Sequence, residues 1–356
     1  MLPTLPENEK KQTLFSRDFI LLFCMAMCNN SYMAVFYCFE QWLEGLQVSP
    51  NWRGILLSAL FAMVLLWRPL ASIVLLSRSK LPALLVTICL SSCIMLAYPF
   101  IHGPDSIWLI LGLRIAQGIS LAVYSSCVVA VLVSCIPKGQ SARGFAIFSL
   151  TTLLPYSIIP AVGEQILPLL GGEPRLFALM AVLAIPALCM LVPLAPKLRK
   201  PEISADTAKN QMTPRAILYS MTHSGLGCIY LACLSFSIMT ALAISMTGLA
   251  WGPLWAFLPL TILYGIGLGL LYPLLAATIY DRSTDATRSI NSNVMMLTFD
   301  ASGMLGPLLG GAVIHAGFGY RGVFMAAAFM VLCSGGFMVL DRLRLALWDR
   351  REQRKH

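Results

Sequence analysis

The amino-acid sequence predicts an all-α, polytopic membrane protein with about ten transmembrane helices, and three observations carry this prediction. Of its 356 residues, 58% are hydrophobic and only 12% are charged. The mean hydropathy is +0.77. A soluble globular domain carries charge on about one quarter of its residues, so the charges here are too few to coat a water-exposed surface. The chain also divides into apolar runs of the length, about 20 residues, that a helix needs to cross a bilayer.

The apolar runs define the predicted helices in chain order. They are Phe19–Leu43, Trp52–Ser77, Leu81–Ile101, Ser106–Ile136, Gly144–Leu170, Leu176–Ala195, Gly225–Thr247, Pro253–Tyr280, Ile290–Ala316 and Tyr320–Leu340. The first run follows the polar segment Met1–Arg17 and lacks a small-residue cleavage site, so it is expected to be a retained helix and not a removed signal peptide.

The distribution of basic residues gives an independent test of this count. With the N-terminus in the cytoplasm, the connectors that fall inside contain nearly all of the 25 basic residues, and only Arg53, Arg175 and Arg321 fall outside. Cytoplasmic loops of membrane proteins are enriched in Lys and Arg in this way. We therefore expect both termini to be cytoplasmic, and we interpret the net charge of +9 as a sign of membrane topology and not of nucleic-acid binding.

The longest polar connector divides the chain into two unequal parts. The expected organisation is a six-helix bundle at residues 1–195, a cytoplasmic linker at 196–224, a four-helix bundle at 225–341 and a basic cytoplasmic tail at 342–356.

Three sequence strings resemble the major facilitator superfamily, in its drug-exporter-like and sugar-efflux-like branches. Residues 113–118 read Leu-Arg-Ile-Ala-Gln-Gly and resemble the R-x-x-Q-G motif of the family's fourth helix. Residues 300–311 resemble the G-x-x-x-G-P-x-x-G-G element of its exporters, and residues 265–273 resemble its tenth helix. The resemblance covers nearly the whole chain and implies a major-facilitator-like bundle.

The sequence also departs from the family pattern. The resemblance implies twelve helices, and this chain is expected to lack the seventh and eighth. Of the loop motif after the second helix, only Arg68-Pro69 and Lys80 match, and the exporter motif of the fifth helix is reduced to residues 160–164, Pro-Ala-Val-Gly-Glu.

The resemblance implies a secondary active transporter of small molecules, multi-pass in the inner (plasma) membrane, with proton- or ion-coupled efflux. Such carriers rock two halves about a site near the bilayer midplane. Two alternatives stay open: an uptake carrier for a small metabolite, and a degenerate protein that no longer transports and serves as a receptor or assembly partner, or is a deletion remnant.

The strongest candidates for substrate or coupling contacts are Arg114 and Asp300. A buried guanidinium needs partners, expected to be carboxylates or helix carbonyls, and Gln117 shares its helix face at i+3. Asp300 is either a carboxylate that exchanges protons with the medium or a partner in an ion pair or hydrogen bond between helices near the cytoplasmic surface. Further candidates, each with a packing or interfacial alternative, are Asn29, Asn30, Glu40, Glu164 and Tyr124.

A second group of residues is expected to permit close helix approach or bending, with static packing as the alternative. These residues are Gly118, Pro160, Gly163, Gly303, Gly306, Pro307, Gly310 and Gly311.

Other chemistry is not predicted. The sequence has no phosphate-binding G-x-x-x-x-G-K-[ST] loop, its four histidines are scattered, and no catalytic cluster or metal-ligand spacing is present, so we expect no enzyme, metal or cofactor.

The expected partners are a small-molecule substrate, protons or another ion, and the lipid bilayer. A homodimer would be one way to complete a cavity.

Overall fold

The computed structural model describes residues 14–76, 79–137, 139–199, 226–244, 271, 273–284 and 287–353. All regular elements in these residues are helical, and no strand occurs among them. The prediction of an all-α protein is therefore confirmed.

The first half of the chain forms eight α-helices, which make up six segments long and apolar enough to cross a membrane. A 3-10 turn at Val35–Cys38 joins the first two helices into one span, and another at Ala181–Leu183 joins the last two. The helices are α1 (Arg17–Ala34), α2 (Phe39–Gly45), α3 (Pro50–Leu76), α4 (Leu81–Ala97), α5 (Ile107–Cys135), α6 (Ser141–Leu170), α7 (Glu173–Met180) and α8 (Ala184–Leu198).

The described part of the second half contains four helices. They are α9 (Gly227–Ile244), α10 (residues 273–282), α11 (Arg288–Val313) and α12 (Gly319–Gln353). A π-helical turn at Ile314–Phe318 joins α11 to α12, and within it Gly317 has a φ of 86°. Only glycine adopts this left-handed conformation at little cost, so the turn depends on it.

Seven helices among the described residues are long and apolar enough to cross a membrane. Together with the shorter apolar stretches Gly227–Met239 and Val294–Gly306, they coincide with every predicted span except Pro253–Tyr280, most of which lies outside the described residues. A polytopic membrane protein is thus confirmed, whereas the count of ten stays a prediction.

Helix α12 is longer than the sequence analysis predicts. The predicted span ends at Leu340, but the helix continues to Gln353 and includes most of the residues expected to form a separate tail. Residues 341–353 contain no glycine or proline, so nothing in this segment interrupts the backbone hydrogen bonds of the helix.

The described helices alternate in direction and bring most of the described basic residues to one end of the bundle, which we call the basic end. Lys80 N donates to Leu198 O at 2.8 Å, and Lys197 Nζ lies 3.5 Å from Asp18 Oδ2. Tyr280 Oη donates to Ile136 O at 2.9 Å. The end of α8 thus meets the α3–α4 connection and the start of α1, and the end of α10 meets the end of α5.

Helix α5 is the most buried of the described spans and packs against α1, α3, α4 and α11. In contrast, α4 and α12 expose mainly apolar side chains on their outer faces, such as Leu85, Val86, Met325 and Leu332. One helix is thus enclosed by protein at the centre of the bundle, and the outer helices present apolar faces. This arrangement is expected when lipid is the solvent. The two halves meet where α11 packs against α3 and α5.

Candidate functional site

The seam between the two halves is formed by α3 and α11, which pack closely near their middles. A Cβ atom added at Gly303 of α11 would lie 2.8 Å from Cδ1 of Phe61 in α3. Real Cβ atoms essentially never come so close, so a side chain at position 303 would displace the Phe61 ring or separate the helices. Gly303 therefore permits the close approach that the sequence analysis predicts.

A buried ion pair crosses this seam between Arg68 of α3 and Asp300 of α11. The two residues have 4% and 8% of their surfaces accessible. Arg68 Nε donates to Asp300 Oδ2, and Arg68 Nη2 donates to Asp300 Oδ1 at 3.0 Å. The two parallel bonds form a fork-to-fork pair, which fixes geometry as well as charge. The structure thus shows Asp300 in an ion pair between helices.

Arg68 is a functional candidate that the sequence analysis did not select. The sequence contained a signal for Arg68, because it is one of two arginines that lie well inside predicted spans and not at their ends, and Asp300 is the only acidic residue of α11. A charged side chain in a span requires a partner, and the two residues pair with each other, although Arg68 Nη1 has no hydrogen-bond partner among the described residues. Their assignment to one another needed the packing of α3 against α11, which sequence spacing does not reveal.

Tyr280 closes the basic end of the same seam. Its hydroxyl donates to the carbonyl oxygen of Ile136 at 2.9 Å, and its ring lies edge-on to Phe145, with the centroids 5.8 Å apart. The guanidinium carbon of Arg288 lies 4.1 Å from the centre of the Tyr280 ring. The described contacts between the halves therefore run from the basic end to Gly303, at the middle of α11.

Arg114 has a different environment within the first half. It is 3% accessible, and its Nη1 donates to Gln117 Oε1 at 3.0 Å, as their spacing on α5 predicts. Its guanidinium carbon lies 3.4 Å from the centre of the Phe39 ring and 4.1 Å from that of Phe36. The electrostatic attraction between a cation and a ring face stabilises such contacts.

The expected carboxylate or carbonyl partners of Arg114 are absent from the residues that the structure describes. Its Nε has no hydrogen-bond partner there, and the rings of Phe36 and Phe39 cover the positive charge instead. The sequence analysis missed these partners because they come from the 3-10 turn and from α2, which are far from α5 along the chain.

The other predicted substrate and coupling residues lie in separate environments. Asn29 is buried, whereas Glu40 and Glu164 are exposed. Tyr124 Oη donates to Met25 O at 3.0 Å, so this hydroxyl holds α5 to α1. Asn30 Nδ2 donates to Thr151 O at 2.9 Å and to Thr152 Oγ1 at 3.2 Å, which joins α1 to α6.

The structure places the predicted packing residues within helices. A Cβ at Gly118 would lie 2.6 Å from Leu60 O, and one at Gly163 would lie 2.8 Å from Tyr37 Oη. Pro160 lies within α6. The backbone of α11 continues as an α-helix through Gly306, Pro307, Gly310 and Gly311 to Val313, and the departure from α-helical geometry comes at Ile314–Phe318.

A groove of about 440 Å³ lies apart from all these residues, between α9, α10 and α12 at the basic end. Its lining includes Arg282, whose Nη1 and Nη2 donate to Asp341 at 2.8 and 2.6 Å. This second bidentate ion pair joins two helices of the same half. Among the described residues, no group of His, Cys, Asp and Glu side chains is arranged to hold a metal ion.

Comparison with known proteins gives two findings. The sequence model of the Major Facilitator Superfamily matches residues 19–246 and 229–355. The crystal structure of the human organic anion transporter MFSD10 (TETRAN) is similar in fold, with a TM-score of 0.63 and 14% sequence identity, over 91% of this chain and 98% of the other. No curated protein sequence matches the chain significantly. The matches support membrane transport of small molecules.

Proposed function

Because the chain belongs to the Major Facilitator Superfamily, we propose that it is a secondary active transporter that works by alternating access, with proton- or ion-coupled efflux as its direction. The observation that carries this proposal is the Arg68–Asp300 ion pair, which is buried and joins the two halves. A carrier must separate its halves on one side and then on the other, so a bond across the seam must form and break in each cycle.

The chemistry of Asp300 supplies a way to break this bond. An ionised carboxylate accepts both hydrogen bonds from Arg68, whereas a protonated one loses its charge and part of its accepting capacity. A proton delivered to Asp300 would therefore release α11 from α3. In this proposal, proton binding and the opening of the seam are one event, which couples movement of the substrate to the proton gradient.

The proposal also includes the direction of transport, the membrane in which the protein lies and the topology of its spans. Efflux rests on the resemblance of residues 300–311 to the exporter element. The basic end is proposed to face the cytoplasm, in the inner (plasma) membrane, because loops enriched in Lys and Arg are retained on that side. The chain is proposed to form ten spans, with six in residues 1–195, a linker at 196–224 and four in residues 225–341, followed by the basic tail.

The test is flux of a panel of small molecules in proteoliposomes with an imposed pH gradient. Asp300→Asn is expected to abolish the dependence on the gradient, because an amide cannot take up or release the proton. Asp341→Asn is the matched control, since it breaks the Arg282–Asp341 pair within one half and should leave the gradient dependence intact.

Two results would contradict the proposal. Gradient-dependent flux in Asp300→Asn would exclude the coupling role of the ion pair. A folded, inserted protein that moves no member of a broad panel in either direction would favour the non-transporting alternative.

Light scattering of the active species distinguishes a monomer from the homodimer that the sequence analysis allows.

A further inference from the structure

The groove between α9, α10 and α12 lies apart from the seam between the two halves. Its described lining includes no residue of α11 or of the first half. Leu274 of α10 and Val339 of α12 line it and have 48% and 59% of their surfaces accessible, so the groove is open at its side. Along a membrane span, the medium that reaches such an opening is lipid.

The lining changes from apolar to charged in the direction of the basic end. On α10, Leu274, Thr278 and Arg282 follow one another at intervals of four residues, so they share one side of the helix. On α12, Val339 comes before Arg342. In both helices the apolar residue thus lies deeper in the span and the arginine lies nearer the basic end. A phospholipid has the same order, with its acyl chains in the bilayer and its phosphate at the surface.

The charges that line the groove do not cancel. Asp341 is 2% accessible and accepts two hydrogen bonds from Arg282. A guanidinium has five N–H donors, so Arg282, whose side chain is 23% accessible, keeps donors for a second acceptor. Arg342 is exposed, and no hydrogen bond or ion pair joins it to another described residue. Two arginines and one aspartate leave the described lining with one net positive charge.

The part of α12 next to these charges has the character of a membrane interface. Leu343 and Leu347 lie beyond Leu340, where the predicted span ends, and have 55% and 59% of their surfaces accessible. They alternate with the exposed Arg342 and Arg344. Exposed leucines beside exposed arginines are typical of a helix at the level of the lipid headgroups, where the apolar side chains reach acyl chains and the charged groups reach phosphate.

From these observations we infer that the groove binds one anionic phospholipid. One acyl chain packs against Leu274, Met338 and Val339, and the phosphodiester accepts hydrogen bonds from Arg342 and from the remaining donors of Arg282. Basic pockets between spans bind anionic headgroups in this way. The net charge of the lining favours an anionic lipid over a zwitterionic one, because the latter brings a cation of its own. This lipid site is additional to the proposed transport function and does not depend on it.

Native mass spectrometry of the full-length protein, delipidated in a neutral detergent, tests the headgroup. Phosphatidylglycerol should bind more tightly than phosphatidylcholine with the same acyl chains. Arg342→Gln should weaken phosphatidylglycerol binding by about fivefold, as the loss of one basic group near the headgroup implies, and Arg342→Lys should retain it. Arg199→Gln is the matched control, because Arg199 is exposed at the end of α8 and outside the groove lining, and it should leave binding unchanged.

A second pair of variants tests the apolar part of the groove. Val339→Trp places a large ring where the acyl chain is inferred to lie, so it should weaken phosphatidylglycerol binding. Val331→Trp is its control on the same helix, because Val331 is 42% accessible and is not part of the groove lining. This control should bind the lipid as the unaltered protein does.

Four results would overturn the inference. Equal affinity for the two lipids would exclude a site for an anionic headgroup. An equal loss in Arg342→Gln and Arg199→Gln would show attraction to the whole basic end, and unchanged binding in Val339→Trp would place the lipid outside the groove. Competition by glycerol phosphate as effective as that by the lipid would show a site for free phosphate. The measurement needs no gradient and no flux, so its outcome is separate from that of the transport assay.

Discussion

Arg68 and Arg114 are both buried inside membrane-spanning helices, with 4% and 3% of their surfaces accessible, but they are stabilised in different ways. Arg68 is paired with a carboxylate of the other half. Arg114 lies against two phenyl rings and a glutamine of its own half. The two regions therefore use the same side chain for two kinds of contact.

The difference between the partners determines which contact can be switched. A carboxylate becomes neutral when it binds a proton, so the bond between Arg68 and Asp300 depends on conditions. The rings of Phe36 and Phe39 cannot take up a proton, so their attraction to Arg114 is expected not to change when a carboxylate is protonated. We therefore compare a seam that protonation is proposed to open with a body whose contacts are expected to persist, and the predictions below test both.

The largest effect is expected when the seam loses one charge. Arg68→Met leaves Asp300 buried without its partner and should lower the free energy of unfolding by about 3–5 kcal/mol, as broken buried pairs do. The double variant Arg68→Met/Asp300→Leu should regain most of this stability, because no unpaired charge stays buried. It should show no gradient-dependent flux. Thermal unfolding in detergent measures the stability of both variants, and a flux assay in proteoliposomes measures their gradient-dependent transport. Equal stability of the single and double variants would contradict the pairing.

A smaller effect is expected where the body is most tightly packed. Gly118→Ala places a Cβ 2.6 Å from the backbone oxygen of Leu60, which cannot move aside as a side chain does, so it should destabilise by about 1–3 kcal/mol. Gly112→Ala on the same helix meets nothing within 4 Å and should be neutral or slightly stabilising. Similar melting temperatures for the two variants would show that the contact of α5 with α3 is adaptable.

The contact of Arg114 with Phe39 is expected to contribute less than the ion pair. A double-mutant cycle with Arg114→Met and Phe39→Leu should give a coupling energy of about 0.5–2 kcal/mol, and this energy should not change with pH. A coupling that disappears at low pH would mean that Arg114 has a titratable partner and would remove the contrast with Arg68.

The smallest effect on stability is expected for an exposed ion pair. Its contribution is the reference against which the contributions of the two buried arginines are compared. Arg53 Nη1 lies 3.5 Å from Glu44 Oε2, and the Glu44 side chain is 68% accessible. Glu44→Gln should change the free energy of unfolding by less than about 1 kcal/mol, because Arg53 also donates to Val48 O at 2.8 Å. A larger loss in thermal unfolding would show that burial is not what separates these pairs.

Some features of the candidate site could be predicted from the sequence. The i,i+3 spacing placed Gln117 beside Arg114, and the glycine-rich string on α11 indicated close packing at Gly303. Both inferences use neighbours on one helix, where the helical repeat fixes the geometry. Asp300 was selected because a carboxylate inside a span is costly, but its two alternatives could not be separated without its partner.

The sequence by itself determined that this is an all-helical membrane protein, and it located the described spans, because hydropathy acts over windows of about 20 residues that need no knowledge of neighbours. Only the tertiary structure decided the partners. Arg68 and Asp300 are 232 residues apart, and Asn30 and Thr151 are 121 apart. Which polar side chain meets which depends on how whole helices pack, and the bilayer, which specifies apolar surface, does not specify that arrangement.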